Sequence, residues 1–152
     1  KLDLQVNEIK ELNAEINKLN AEINKLNAEI KENYKKLLSS PKKEDFDQLK
    51  KEIDNKNKQI DKLNNEISTL KAILSVNRKD VYNSLKGLSS TKNIQCGKYT
   101  FKLEDYLKIP LIKEGKNKVL KFKKDNGRLP NYVTIAKYKV PQKVYKKLFN
   151  IK

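Results

Sequence analysis

From Asn7 the chain repeats every seven residues, as NEIKELN, AEINKLN, AEINKLN and AEIKENY. Ile9, Ile16, Ile23 and Ile30 recur at heptad position a, with Leu12, Leu19 and Leu26 at d. Because an α-helix turns once in ~3.6 residues, this 3-4 alternation gathers the apolar side chains on one narrow seam that only another helix can bury. A second run follows, with Phe46, Ile53, Ile60, Ile67 and Leu74 at a and Leu49, Leu63 and Leu70 at d; Lys56 interrupts its d column.

Between the runs the heptad phase jumps by two residues, and the jump falls at Ser39-Ser40-Pro41. Proline is poor inside a helix and good at its first position, with Ser40 a suitable N-cap. The sequence therefore predicts a break at 39–41 and a chain that folds back there, giving two helices of about 37 residues, roughly 55 Å each at 1.5 Å per residue. Folding back pairs Ile30 with Leu49, Leu26 with Ile53 and Leu12 with Ile67. Two features speak for a parallel dimer instead. Ile at a with Leu at d suits parallel pairs, and the hairpin sets g against g, bringing Glu29 near Glu52 and Glu15 near Glu66. In a parallel dimer of the second helix, Asp45 would face Lys50 and Glu66 would face Lys71. Exposed pairs are worth only tenths of a kcal/mol, so the hairpin remains the expected fold, with self-association through the same helices a possible addition.

Past residue 77 the composition changes. Residues 1–77 hold 15 Lys against 14 Asp/Glu; residues 78–152 hold 20 Lys/Arg against 5, so nearly all of the net charge of +16 lies there. All four Gly, three of four Pro and nine of eleven aromatics lie there too. The fold class expected is mainly α: an N-terminal coiled-coil helical hairpin over 1–77, then a small helical domain with short β-hairpins over 78–152. A basic field of this size attracts polyanions, whether nucleic acid, anionic lipid or acidic wall polymer, and names none of them.

The chain has no His. Ser/His/Asp and Cys/His chemistry both need an imidazole, so the single cysteine, Cys96, has no usual general base and is expected as a small turn residue beside Gly97. One cysteine also excludes an internal disulfide framework. With no Gly-rich phosphate loop, CxxC or carboxylate cluster in the second half, the expectation is no catalytic residue, no metal and no cofactor. No stretch approaches the ~18 apolar residues of a membrane span, and the polar face of the heptads is charge-balanced rather than basic, so no membrane partner is expected. Beginning at Lys1 rather than Met, the chain is expected to be a piece of a longer one.

Short elements fill the basic half: a helix over 79–86 ended by Gly87, a small hairpin around Cys96-Gly97, a helical turn over 103–108 stopped before Pro110, and a helix over 117–124 ended by Asp125-Asn126-Gly127. Two β-branched stretches around Ala136-Lys137 and a last helix from Pro141 complete it. At an offset of about 39, Lys98-Tyr99 aligns with Lys137-Tyr138, Phe101 with Val140 and Tyr106 with Tyr145, the trace of two degenerate repeats.

Within the second of these, Asn126-Gly127-Arg128-Leu129-Pro130-Asn131-Tyr132-Val133-Thr134-Ile135 is contiguous, in a stretch of about 30 residues that resembles the pseudomurein-binding repeat of methanogen cell-wall proteins. Ala136 stands where that family usually has Gly in the turn, and Val140-Pro141 where it has a polar cap. The resemblance implies non-catalytic binding of the archaeal pseudomurein wall, an acidic polymer whose glycan carries a uronic acid and whose peptides include Glu. It also implies that an attached lytic enzyme or adhesin is targeted there. The chain would then be the wall-binding region of a larger pseudomurein endoisopeptidase, often of an archaeal virus, or of a surface protein. Its place would be extracellular, at the cell envelope, or released with viral lysis.

Leu129, Val133 and Ile135 are the core positions of the motif. Arg128, Asn131, Tyr132 and Thr134 are its polar or amphipathic ones, and with Tyr138, which could stack on a sugar ring, they are the candidate ligand-binding residues. Lys with interleaved Tyr and Phe would also suit single-stranded nucleic acid, the main rival partner, and a structural or attachment part of a viral fibre is a third reading.

The fold-back is directly testable. Spin labels at Lys10 and Lys71 should report proximity within one chain; short distances only between like positions in mixed-label dimers would mean a parallel coiled coil.

Overall fold

A computed structural model describes residues 2–39 and 43–152. Ten elements follow one another: α1 (Leu2–Ser39), α2 (Lys43–Ser75), α3 (Arg78–Lys86), β1 (Asn93–Cys96), β2 (Tyr99–Lys102), α4 (Leu103–Tyr106), α5 (Pro110–Asn126), β3 (Tyr132–Ile135), β4 (Tyr138–Pro141) and α6 (Gln142–Leu148). The protein is mainly helical, with a long N-terminal helical region and two small antiparallel hairpins. The expected cap and first helical position at Ser40 and Pro41 lie outside the described residues. Two units divide the chain: residues 11–70, and a compact unit that adds the first turns of α1 and the end of α2 to residues 78–152.

In the first unit α1 and α2 run antiparallel, so the side chains that meet have residue numbers summing to a near-constant value. Lys56 Nζ lies 3.1 Å from Glu29, and Gln59 Nε2 donates to Glu22 at 3.4 Å. Ile16, Leu19, Leu26 and Ile30 of α1 and Ile53, Leu63 and Ile67 of α2 are buried, all on the predicted seam. Each contributes on the order of 1.5–3 kcal/mol by leaving water, far more than any exposed ion pair, so the seam decides the arrangement. Lys56, the flaw in the d column, supplies the positive partner that Glu29 lacks if it meets only Glu52. Asn33 takes the next d position after Leu26 and is buried, its Nδ2 without a partner among the described residues. The ends of the seam depart from the heptad expectation. Ile9 and Phe46 are exposed, and past Leu70 the buried side chain is Ile73, off the heptad, while Leu74 is only half-buried.

The compact unit repeats one pattern twice. A helix (α3 or α5) leads into a two-stranded hairpin, and a short helix (α4 or α6) follows directly. The hairpins match in length and register: Ile94 pairs with Phe101 and Cys96 with Tyr99 in one, Val133 with Val140 and Ile135 with Tyr138 in the other. Their burial alternates identically along the strands, as a period of two requires. Tyr106 on α4 and Tyr145 on α6 are both fully buried.

Three local expectations shift. Cys96 is the last residue of β1 and fully buried, because the alternation that buries Ile94 also buries Cys96; Gly97, at φ 62°, makes the turn with Lys98. The helix expected at 117–124 starts at Pro110, which stops the preceding turn and then serves as the first residue of α5, where its missing N–H is no loss. The last helix begins at Gln142 with Pro141 ending β4, and no side chain caps it. In the β3–β4 turn both Ala136 and Lys137 have positive φ, at 53° and 69°, as a two-residue turn of the I′ kind demands.

α5 lies on β3 through Gly115: a Cβ there would stand well inside contact distance of Ile135 Cγ1 and Cδ1. Gly115→Ala gains about 0.5–1 kcal/mol of helix propensity but overpacks, at about 1–3 kcal/mol, so the clash wins. Thermal melts should show Gly115→Ala destabilised, and the loss should shrink when Ile135→Val is added; equal stability of Gly115→Ala and the parent chain would contradict the contact.

Candidate functional site

Helix α5 stops because Gly127 adopts the left-handed conformation at φ 70°, its N–H returning to the carbonyl of Lys123 at 2.8 Å. No atom approaches within 4 Å of where a Cβ would sit, so backbone conformation rather than space demands glycine there. Arg128 emerges from this turn with its guanidinium 5.3 Å from the centre of the Phe122 ring, a cation held over an aromatic face. The chain is then pinned from the α6 side. The Tyr145 hydroxyl and Gln142 Nε2 both donate to the carbonyl of Pro130, and the backbone N–H of Gln142 donates to the carbonyl of Asn131 at 2.8 Å.

These constraints open a crevice of about 460 Å³ between α5 and β3. Lys118 and Phe122, one helical turn apart, form one wall; Asn131, Tyr132, Val133 and Thr134 form the other, and Arg128 and Pro130 close an end. Its charged lining residues, Lys118 and Arg128, are both positive. Tyr132 remains exposed, and Lys139 Nζ sits 5.0 Å from its ring centre. The site therefore offers the Arg128 cation, Lys118 in a 3.6 Å pair with Glu114, two aromatic rings, an amide and a hydroxyl, which suits a polar anionic ligand with a flat or apolar portion.

Four of the five candidate residues, Arg128, Asn131, Tyr132 and Thr134, line this one crevice. Tyr138 does not. It is half-buried, its ring edge-on to Tyr82 of α3 at 5.5 Å and 88°. It shares a strand face with the fully buried Val140 and lies opposite the buried Ile135, so a tyrosine there packs inward. Lys118, Phe122 and Lys139 were not singled out from the sequence; the spacing of four between Lys118 and Phe122 was the available signal.

The corresponding place in the first repeat, between α3 and β1, holds a crevice of about 390 Å³ with a different character. It is lined by Asp80, Asn83, Ser89, Ser90 and Gln95 among others, small and polar, with neither a cation nor an aromatic ring. Asp80 is committed to a capping box with Asn77 at the start of α3.

Beneath it Ser84 Oγ donates to the carbonyl of Val81 at 2.7 Å and lies 2.6 Å from the Tyr106 hydroxyl. With its one proton committed, the serine accepts from Tyr106. Burial pushes the Tyr106 hydroxyl well above its ordinary range. Burial likewise raises the Cys96 thiol, reinforced by the Asp80 charge. A thiol held neutral and out of solvent is a core group. Among the described residues no three His, Cys, Asp or Glu side chains gather as a metal site, and no helix is long and apolar enough to cross a membrane.

Comparison with family models, curated proteins and solved structures finds no match to this chain.

The buried thiol gives a check on this geometry. Iodoacetamide at neutral pH should leave Cys96 unmodified in the native chain and alkylate it in denaturant, as read by mass spectrometry; fast alkylation of the native chain would place Cys96 at the surface.

Proposed function

We propose that the chain is a non-catalytic binding module for the pseudomurein wall, which holds an attached lytic enzyme or adhesin at that surface outside the cell or during viral lysis. The observation that supports it is the gathering of Arg128, Asn131, Tyr132 and Thr134, polar members of the one run that resembles the pseudomurein-binding repeat, in a single crevice whose charged lining is wholly cationic. The surplus of 20 Lys/Arg over 5 Asp/Glu in residues 78–152 adds long-range attraction to an acidic polymer. The helical hairpin serves as a spacer and as a surface through which copies could associate.

The second reading is single-stranded nucleic acid, favoured by the exposed Tyr132 ring with Lys139 over it and by Arg128 over Phe122. Salt separates recognition from attraction, since exposed charges are screened over about 8 Å at physiological ionic strength and about 3 Å at 1 M. The test is retention of the full chain on purified pseudomurein walls, with bacterial murein and single-stranded DNA alongside, from low to high salt. Retention on pseudomurein alone should persist at high salt. Tyr132→Ala or Asn131→Ala should weaken it there by about five-fold, the equivalent of one contact of about 1 kcal/mol. Neutralising the remote Lys146 and Lys152 should lower retention mainly at low salt. Equal retention on DNA and both walls would replace wall recognition with general polyanion binding.

A further inference from the structure

The crevice follows an open strand edge. β3 pairs with β4 alone. In an antiparallel ladder, residues bonded across the pair alternate with residues whose N–H and C=O point away. The bond from Gln142 N–H to the Asn131 carbonyl continues the ladder and sets its phase, so Val133 and Ile135 bond to β4 and Tyr132 and Thr134 turn their backbone groups outward. Pro141, opposite Tyr132, has no N–H to offer, consistent with that phase. The four consecutive residues 131–134 line the crevice from both faces of the strand and no β4 residue does, which places the crevice along the outer edge of β3.

The two edges of this hairpin are treated differently. On β4 the outward positions are Lys139 and Pro141, a charge and a residue without N–H, both of which deter a further strand. On β3 the sequence is Tyr-Val-Thr-Ile, with no charge, no proline and an unbroken register. Proteins ordinarily blunt an edge of this kind, and leaving one unguarded beside a crevice invites an extended segment to pair there. Charge selects the segment: at the crevice Lys118 is already paired with Glu114 at 3.6 Å, whereas Arg128 has no carboxylate partner among the described residues, its guanidinium resting on the Phe122 ring.

We propose that the open edge of β3 takes an extended acidic peptide as a third strand. Backbone groups of the peptide bond to Tyr132 and Thr134, and a carboxylate on it meets Arg128. The inference rests on the wall-binding reading in one respect, that the peptide part of the wall polymer rather than its glycan supplies this segment.

The experiment uses the full chain and two soluble probes, a short synthetic peptide of Val, Thr and Glu and an oligosaccharide of glucuronic acid with the same number of carboxylates, together with purified walls. Thr134→Pro removes the outward N–H without touching the ladder, at a kind of position where Pro141 already stands on the partner strand; Thr134→Ala keeps that N–H. Peptide affinity should fall by about tenfold in Thr134→Pro and by less than about twofold in Thr134→Ala. Should Thr134→Pro fail to fold, hydrogen exchange of the unsubstituted chain decides: the Tyr132 and Thr134 amides should slow when the peptide is added. The proposal is overturned if the oligosaccharide binds and the peptide does not, if both amides stay fast, or if they are protected without peptide because two copies of this chain pair at the edge. Walls held equally by Thr134→Pro and the parent overturn the edge and leave wall binding standing. Walls held by neither, with the peptide still bound, overturn wall binding and leave the edge.

Discussion

The bond from the buried Tyr145 hydroxyl to the Pro130 carbonyl fixes the segment on which the crevice depends. A phenol so deep in the core needs an acceptor, because an unpaired buried polar group costs about 1–3 kcal/mol, more than a typical bond returns. Meeting that need draws residues 128–131 onto α6, after Gly127 has turned them off α5. Arg128 is thereby left over Phe122, and Asn131 and Tyr132 face outward. In the first repeat the matching tyrosine, Tyr106, meets the same need with Ser84 on a helix instead of a loop carbonyl. One buried phenol with two different partners is a physical reason for two crevices of similar size and unlike chemistry.

Much of this was legible in the chain. The heptads announce helices that must pair, and α1 and α2 do meet antiparallel, with Leu26, Ile30 and Ile53 buried and Lys56 of one helix on Glu29 of the other. Alternation around Ala136-Lys137 gave the second hairpin with its turn in place. Of the five residues chosen for a site, the four drawn from the contiguous run share a crevice, since short-range turn chemistry at Gly127 and Pro130 holds them together.

What the sequence concealed was long-range. Whether Tyr138 meets solvent or Tyr82 depends on how α3 lies against β4, which no local pattern states. Lys118 and Phe122 join the site only because Gly115 lets α5 settle on Ile135. Cys96 looked like part of a turn because Gly97 follows it, yet the turn is displaced by one residue and the cysteine falls on the inward phase. Pro110 was read as a stop when it is also a start, an ambiguity built into a residue that is excluded from helix interiors and favoured at their first position. Lys56 looked like a defect in the heptad and is the partner of Glu29 across the hairpin.

The two repeats thus present one scaffold with two surfaces, a small polar crevice in the first and a cationic, ring-bearing one in the second. The central claim is that binding belongs to the second. Amide chemical-shift mapping of the full chain, titrated with solubilised wall fragments at high salt, tests it most directly. The account predicts that the largest changes fall on Lys118, Phe122, Arg128, Asn131, Tyr132 and Thr134. Changes centred on Asp80, Asn83 and Gln95, or scattered over lysines throughout the chain, would contradict it.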